Sequence, residues 1–148
     1  MMELTSLLRH TLLVSSIGVL AACSSADSTS TTPNTPNTPT AVTINGSIFA
    51  SSVNGASVTV KNTSGASIAG PVTTANDGTY SIDILDIDLA NDLVFESTGG
   101  VFTDEATTTP DVAAGAMSAY VAGGTLATGD SVLVTPGTTI TAMLITQH

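Results

Sequence analysis

"VTTANDGTYSIDI", Val72 to Ile84, reads as two short strands folded about a turn. Asn76-Asp77-Gly78 supplies the punctuation, because glycine adopts the positive φ of a tight hairpin without steric penalty. Behind the turn, Tyr80, Ile82 and Ile84 occupy alternate positions and so share one strand face, the period-two pattern of a half-buried sheet. That phase breaks after Ile84. The next apolar residues are Leu85, Ile87 and Leu89, so a bulge or a strand end is expected there.

The same pattern extends both ways. "VTINGSIF", Val42 to Phe49, places Val42, Ile44 and Ile48 on one face, with Gly46 as a bulge or close-approach point. "ASVTV", Ala56 to Val60, alternates likewise, and Asn54-Gly55 and Ser64-Gly65 mark turns. Downstream, "LVFES" (Leu93 to Ser97), "AGAMSAYVA" (Ala114 to Ala122) and "SVLVT" (Ser131 to Thr135) bring the expected strands to about seven. Frequent turns without a long helical period predict an all-β, antiparallel seven-stranded sandwich over residues 41–135. Only Phe49, Phe95, Phe102, Tyr80 and Tyr120 are aromatic, so Val, Ile, Leu and Ala must build the core.

Residues 136–148 form a separate C-terminal segment. Thr135 and Pro136 stand as an N-cap and first helical residue, which favours a short helix. The β-branched Thr138, Thr139, Ile140, Thr141, Ile145 and Thr146 leave a closing strand open. A helix here would expose Ile140, Met143 and Leu144 unless something covers them.

Ahead of the domain, residues 1–22 read as a secretory signal: a short polar opening with Arg9, then an apolar run from Thr11 to Ala22. That run is too short to cross a bilayer, which takes about 20 residues. It ends in Leu20-Ala21-Ala22-Cys23, and Cys23 is the chain's one cysteine, so it has no disulfide partner within the chain. Ser24 to Thr40, "SSADSTSTTPNTPNTPT", holds no aliphatic residue larger than Ala and repeats Thr-Pro-Asn. Such a composition predicts a disordered tether over residues 23–40, reaching roughly 50 Å at about 3.1 Å per residue.

Leu20-Ala21-Ala22-Cys23 resembles the lipobox of bacterial lipoproteins. The resemblance implies that signal peptidase recognises Leu20, Ala21 and Ala22, cuts before Cys23, and leaves that cysteine lipidated. Several acyl chains then hold the protein in the bilayer, since each buried methylene contributes about 0.8 kcal/mol. Ser24 after the cysteine resembles the sorting pattern of the Gram-negative outer membrane. "GASVTV" and "TTANDGTYSI" in turn resemble carboxypeptidase-regulatory-like domains, small transthyretin-like sandwiches. The matching residues are Gly55-Ala56-Ser57-Val58 and Thr74 to Ser81. "ESTGGVFTDEAT" (Glu96 to Thr107) and "VTPGTT" (Val134 to Thr139) are similar to segments of surface lipoproteins in which the sandwich leads into a larger region. By that likeness, either the chain is a copy truncated at its C-terminus or its last segment is a closing strand.

The formal charge is −10, with Arg9 and Lys61 the two basic side chains. Nucleic-acid binding needs cations to displace phosphate counterions, so it is excluded. Past the expected cleavage site there remain His148, Lys61 and no arginine. Acyl-transfer triads lack their base, zinc lacks a ligand set, and no G-x-x-x-x-G-K-[ST] loop occurs. A non-catalytic protein without a cofactor is expected. Carboxylates are the remaining chemistry. In "IDILDIDLAND", Asp86, Asp88 and Asp92 are candidate Ca²⁺ ligands, although the spacing lacks the EF-hand order. Asp104 and Glu105 read as loop residues, and Lys61 as a solvated strand-end ammonium rather than a buried crosslinking lysine.

The expected role is therefore a lipid-anchored envelope protein whose β-domain makes structural or adhesive contacts with an envelope protein or glycan. Two alternatives stand beside it: a carbohydrate- or Ca²⁺-binding module, and the N-terminal fragment of a larger secreted hydrolase or adhesin.

Overall fold

The computed structural model describes residues 38–147. Nine strands and one helix follow in order: β1 (Ala41–Ile48), β2 (Ser57–Asn62), β3 (Ser67–Thr73), β4 (Thr79–Leu85), β5 (Leu93–Thr98), β6 (Val101–Asp104), β7 (Thr109–Ala113), β8 (Met117–Val121), β9 (Ser131–Val134) and α1 (Pro136–Thr146). They form a three-stranded sheet, β4-β1-β9, a four-stranded sheet, β3-β2-β5-β8, and the separate pair β6-β7.

One core joins the two larger sheets. Ile44, Ile48, Tyr80, Ile82, Ile84, Val132 and Val134 meet Val58, Val60, Leu93, Phe95, Met117 and Ala119, all buried. β4 shows why: every second side chain is buried, with Tyr80, Ile82 and Ile84 inward. The phase break resolves as a strand end. β4 stops at Leu85, after which Leu85 and Ile87 are exposed and a 3-10 turn forms at Asp88–Ala90.

Three expectations need correction. β3 and β4 are not partners in a hairpin; β3 pairs with β2, and β4 with β1. Thr74 explains the divergence. Its buried Oγ1 donates to the Val53 carbonyl at 2.7 Å and accepts from the Ala56 N–H at 2.9 Å. Its own N–H donates to the Ala56 carbonyl, so the end of β3 is tied to the loop before β2, while Asn76-Asp77-Gly78 carries the chain to the other sheet. Gly78 does take the positive φ, at 81°, and Asp77 accepts from the N–H and hydroxyl of Thr79.

Nine strands stand where about seven were expected. The additional pair, β6 and β7, has no fully buried residue, so its sequence shows little apolar alternation. The pairing is not wholly antiparallel either: β9 runs parallel to β1 from Asn45↔Ser131 to Ile48↔Val134. A parallel partner needs a long crossover, and here the chain between them passes through the other sheet.

The C-terminal segment is a helix. Thr135 Oγ1 accepts from the Thr138 N–H at 3.1 Å, and Thr138 Oγ1 accepts from the Thr135 N–H at 2.8 Å. Reciprocal capping with Pro136 at the first turn outweighs the β-branched content.

Candidate functional site

Gly46, Tyr80 and Val132 form the tightest junction in the small sheet. Tyr80 projects from β4 across the backbone of β1 at Gly46, and its hydroxyl donates to the Val132 carbonyl of β9 at 3.0 Å. A side chain at Gly46 would put Cβ 2.2 Å from that carbonyl and 2.4 Å from the phenol. Gly46 is thus a close-approach point, without a bulge in the β1–β4 register. Burial pushes the Tyr80 phenol well above its ordinary ionisation range. The junction is a clamp that joins three strands.

The acidic segment does not converge on one point. Asp86 Oδ1 accepts from the backbone N–H groups of Thr40 and Ile87, fastening the start of β1 to the end of β4. Asp92 Oδ1 accepts from the Gly123 N–H at 2.8 Å. That bond, and a second from the Tyr120 hydroxyl, hold the Asp92 carboxyl below its usual range and raise the Tyr120 phenol. Asp88 and Asp92 line an open cleft of about 410 Å³ with Asn62, Ser64 and Asn91; Asp86 lies apart, beside Thr38 and Pro39. Among the described residues, no group of three or more His, Cys, Asp or Glu side chains is placed to hold a metal.

Asp104 and Glu105 serve the β6–β7 hairpin. Asp104 accepts from the Thr107 hydroxyl and the Ala106 N–H, which lower its carboxyl below the usual range. Glu105 accepts from the Ser51 hydroxyl at 3.3 Å, linking the hairpin to the loop after β1. The two carboxylates engage separate partners.

On the outer face of the four-stranded sheet, Lys61 of β2 pairs with Glu96 of β5 at 2.5 Å. Their side chains are 33% and 38% exposed, so this ammonium is neither deeply buried nor placed between the sheets. Helix α1 lies beside the pair and leaves a groove of about 310 Å³ lined by Lys61, Val94, Glu96, Ser118, Ala142 and Met143. Its mounting is unusual. β8 is an edge strand, and the first turn of α1 occupies its free side: Thr139 Oγ1 accepts from the Ser118 N–H, and Thr138 Oγ1 donates to the Ser118 carbonyl, both at 2.9 Å. Two threonines substitute for a neighbouring strand and block edge-to-edge pairing there. Sequence reading saw these threonines only as propensity; their spacing after Thr135-Pro136 was the available signal.

Lys61 is the sole basic side chain among the described residues, which include no histidine, arginine or cysteine. They bring together no nucleophile and base. Leu20, Ala21, Ala22, Cys23 and His148 lie outside the described residues. No family model matches the chain, and no curated protein or solved structure matches it either.

Proposed function

We propose that this chain is a bacterial lipoprotein that displays a non-catalytic, transthyretin-like sandwich from the outer membrane on an acyl anchor at Cys23. The observation that carries the reading is one succession. A short apolar run closes on Leu20-Ala21-Ala22-Cys23, a Thr/Pro/Asn tract follows, and a β-rich unit begins at Ala41. Signal, anchor, spacer and displayed module stand in the order that their physics requires.

The state of the domain's polar groups supports a structural or adhesive role. Its one lysine is paired with Glu96, and Asp86, Asp92 and Asp104 are spent on backbone and hydroxyl hydrogen bonds. The strands of the two larger sheets supply the module, and contacts with an envelope protein or glycan fall to its loops and outer faces.

Expression in a Gram-negative host with radiolabelled palmitate tests this. The native chain takes up label and partitions with membranes, whereas Cys23→Ser takes up none and, once freed of its signal segment, leaves the membrane fraction. Membrane association of an unlabelled Cys23→Ser chain that has lost its signal segment would refute the anchor.

A further inference from the structure

Helix α1 is mounted with its apolar side outward. Thr139 and Ala142 are its buried residues, while Ile140, Met143, Leu144 and Ile145 are 62%, 54%, 62% and 43% exposed. Ile140 and Leu144, four apart, crown the outward face, and Met143 and Ile145 flank it. No charged residue occurs from Ser131 to Gln147, so no ionic group on this face resists leaving water, and the exposed Thr141 hydroxyl donates to the Gly137 carbonyl within the helix. The threonines explain how α1 is held, through Ser118 of β8. They do not explain what the aliphatic side chains meet.

We infer that the outward face of α1 rests on the lipid bilayer that carries the anchor, so that the domain lies against the membrane instead of swinging free. The inference rests on the anchor reading at Cys23. Size argues against a second copy as occupant. Four such side chains at these exposures present on the order of 400 Å², in the range of functional surface patches but about half the roughly 800 Å² that each partner of a stable complex buries. Tether length argues for the bilayer. Fourteen residues lie between Cys23 and Thr38, a reach of roughly 50 Å at full extension. An anchored domain therefore meets the surface at high effective concentration, and a patch too small for association from dilute solution suffices. The chain carries a formal charge of −10 and Lys61 is the one basic side chain of the described residues, so anionic headgroups repel the domain and zwitterionic lipid is the fitting surface.

The test uses the processed, lipidated chain in phosphatidylcholine vesicles. In Leu144→Cys the introduced thiol is the one free thiol, because Cys23 is alkylated; it carries an environment-sensitive fluorophore. Asp83→Cys, on the exposed face of β4, is the control, and Ile140→Cys repeats the measurement on the helix. Acyl-chain nitroxide lipids should quench the helix labels at least twofold and leave the β4 label unchanged. In the Leu144→Cys chain, Ile140→Ser should cut that quenching by half or more, with circular dichroism unaltered. Equal, weak quenching at all sites with Cys23 blocked overturns the bilayer contact and leaves the anchor standing. Helix labels shielded from water yet unquenched by lipid, with energy transfer between copies, assign the face to a second copy and also overturn it. If Cys23 reacts with maleimide, the anchor reading fails, and this inference with it.

Discussion

Replacing Gly46 by alanine tests the clamp on which the small sheet depends. The added methyl would lie 2.2 Å from the Val132 carbonyl and 2.4 Å from the Tyr80 Cζ and Oη. Ordinary contacts begin at about 3.5 Å, so each neighbour must retreat by roughly 1 Å. Val132 cannot do so alone, because it is paired with Gly46 in the parallel β1–β9 ladder. Tyr80 cannot swing aside without losing its hydroxyl bond, and it is only 5% exposed. Overpacking of this kind costs about 1–3 kcal/mol, here towards the upper end because one neighbour is backbone. Losing the buried hydrogen bond adds about 1–1.5 kcal/mol. The reduced freedom of the unfolded chain returns about 0.4–1 kcal/mol.

The net expectation for Gly46→Ala is a loss of about 3 kcal/mol, or roughly 12–20 °C in Tm for a unit of this size. Urea denaturation followed by far-UV circular dichroism measures it. Tyr80→Phe alone should lose about 1–1.5 kcal/mol, with the ring still in place. The double variant should then resemble Gly46→Ala, since the alanine has already broken the bond that phenylalanine lacks. A Gly46→Ala chain within about 0.5 kcal/mol of the parent, or strictly additive effects, would refute the clamp.

Four further outcomes follow from the same geometry. Thr74→Val keeps the shape but orphans the Val53 carbonyl and the Ala56 N–H, both held by Thr74 Oγ1; a loss of about 2–4 kcal/mol is expected in urea titrations. Ser97→Ala should act oppositely. Ser97 Oγ is buried with no hydrogen-bond partner in the protein, so its removal should stabilise the fold by up to about 1 kcal/mol, read from the urea midpoint. Alkaline pH should destabilise the domain through Tyr80. Its phenol ionises at a higher pH when folded than when unfolded, so above about pH 10 the unfolded chain releases the proton first and stability falls with a slope of up to about 1.4 kcal/mol per pH unit. Melting curves between pH 9 and 11 should show a slope in the parent that is reduced in Tyr80→Phe, with the raised Tyr120 phenol supplying what remains. Thr138→Val with Thr139→Val should unfasten α1 from Ser118, lowering stability by about 2–3 kcal/mol and producing oligomers on size exclusion as the β8 edge opens.

Local periodicity made the inward faces legible. Tyr80, Ile82 and Ile84 announced a strand because alternation is a property of neighbours along the chain, and Thr135-Pro136 announced a helix start for the same reason. Partner choice is a property of distant residues. Nothing near Asn76-Asp77-Gly78 discloses that Thr74 will bind back to Val53 and Ala56, and that bond, not the turn, decides that β3 and β4 part. β6 and β7 escaped because a hairpin lying outside the main sheets needs no buried alternation. The acidic segment misled in a related way. Asp86, Asp88 and Asp92 are close in sequence, but the end of β4 at Leu85 and the turn after it send Asp86 to Thr40 and Asp92 to Gly123.

The orientation of α1 is where local and distant terms meet. A half-turn rotation about the helix axis would bury Ile140 and Leu144, worth about 1.5–3 kcal/mol each. The same rotation would carry Thr138 and Thr139 away from Ser118, leaving its N–H and carbonyl at an open sheet edge and exposing β8 to intermolecular pairing. Each orphaned group that stays buried costs about 1–3 kcal/mol, so the two orientations are close in energy for the domain alone. Contact with lipid removes that near-balance, because the outward aliphatic side chains then leave water while the threonines stay bonded. The bilayer would therefore select the observed orientation, and Ile140→Ser with Leu144→Ser should weaken membrane contact while leaving the fold as stable as before.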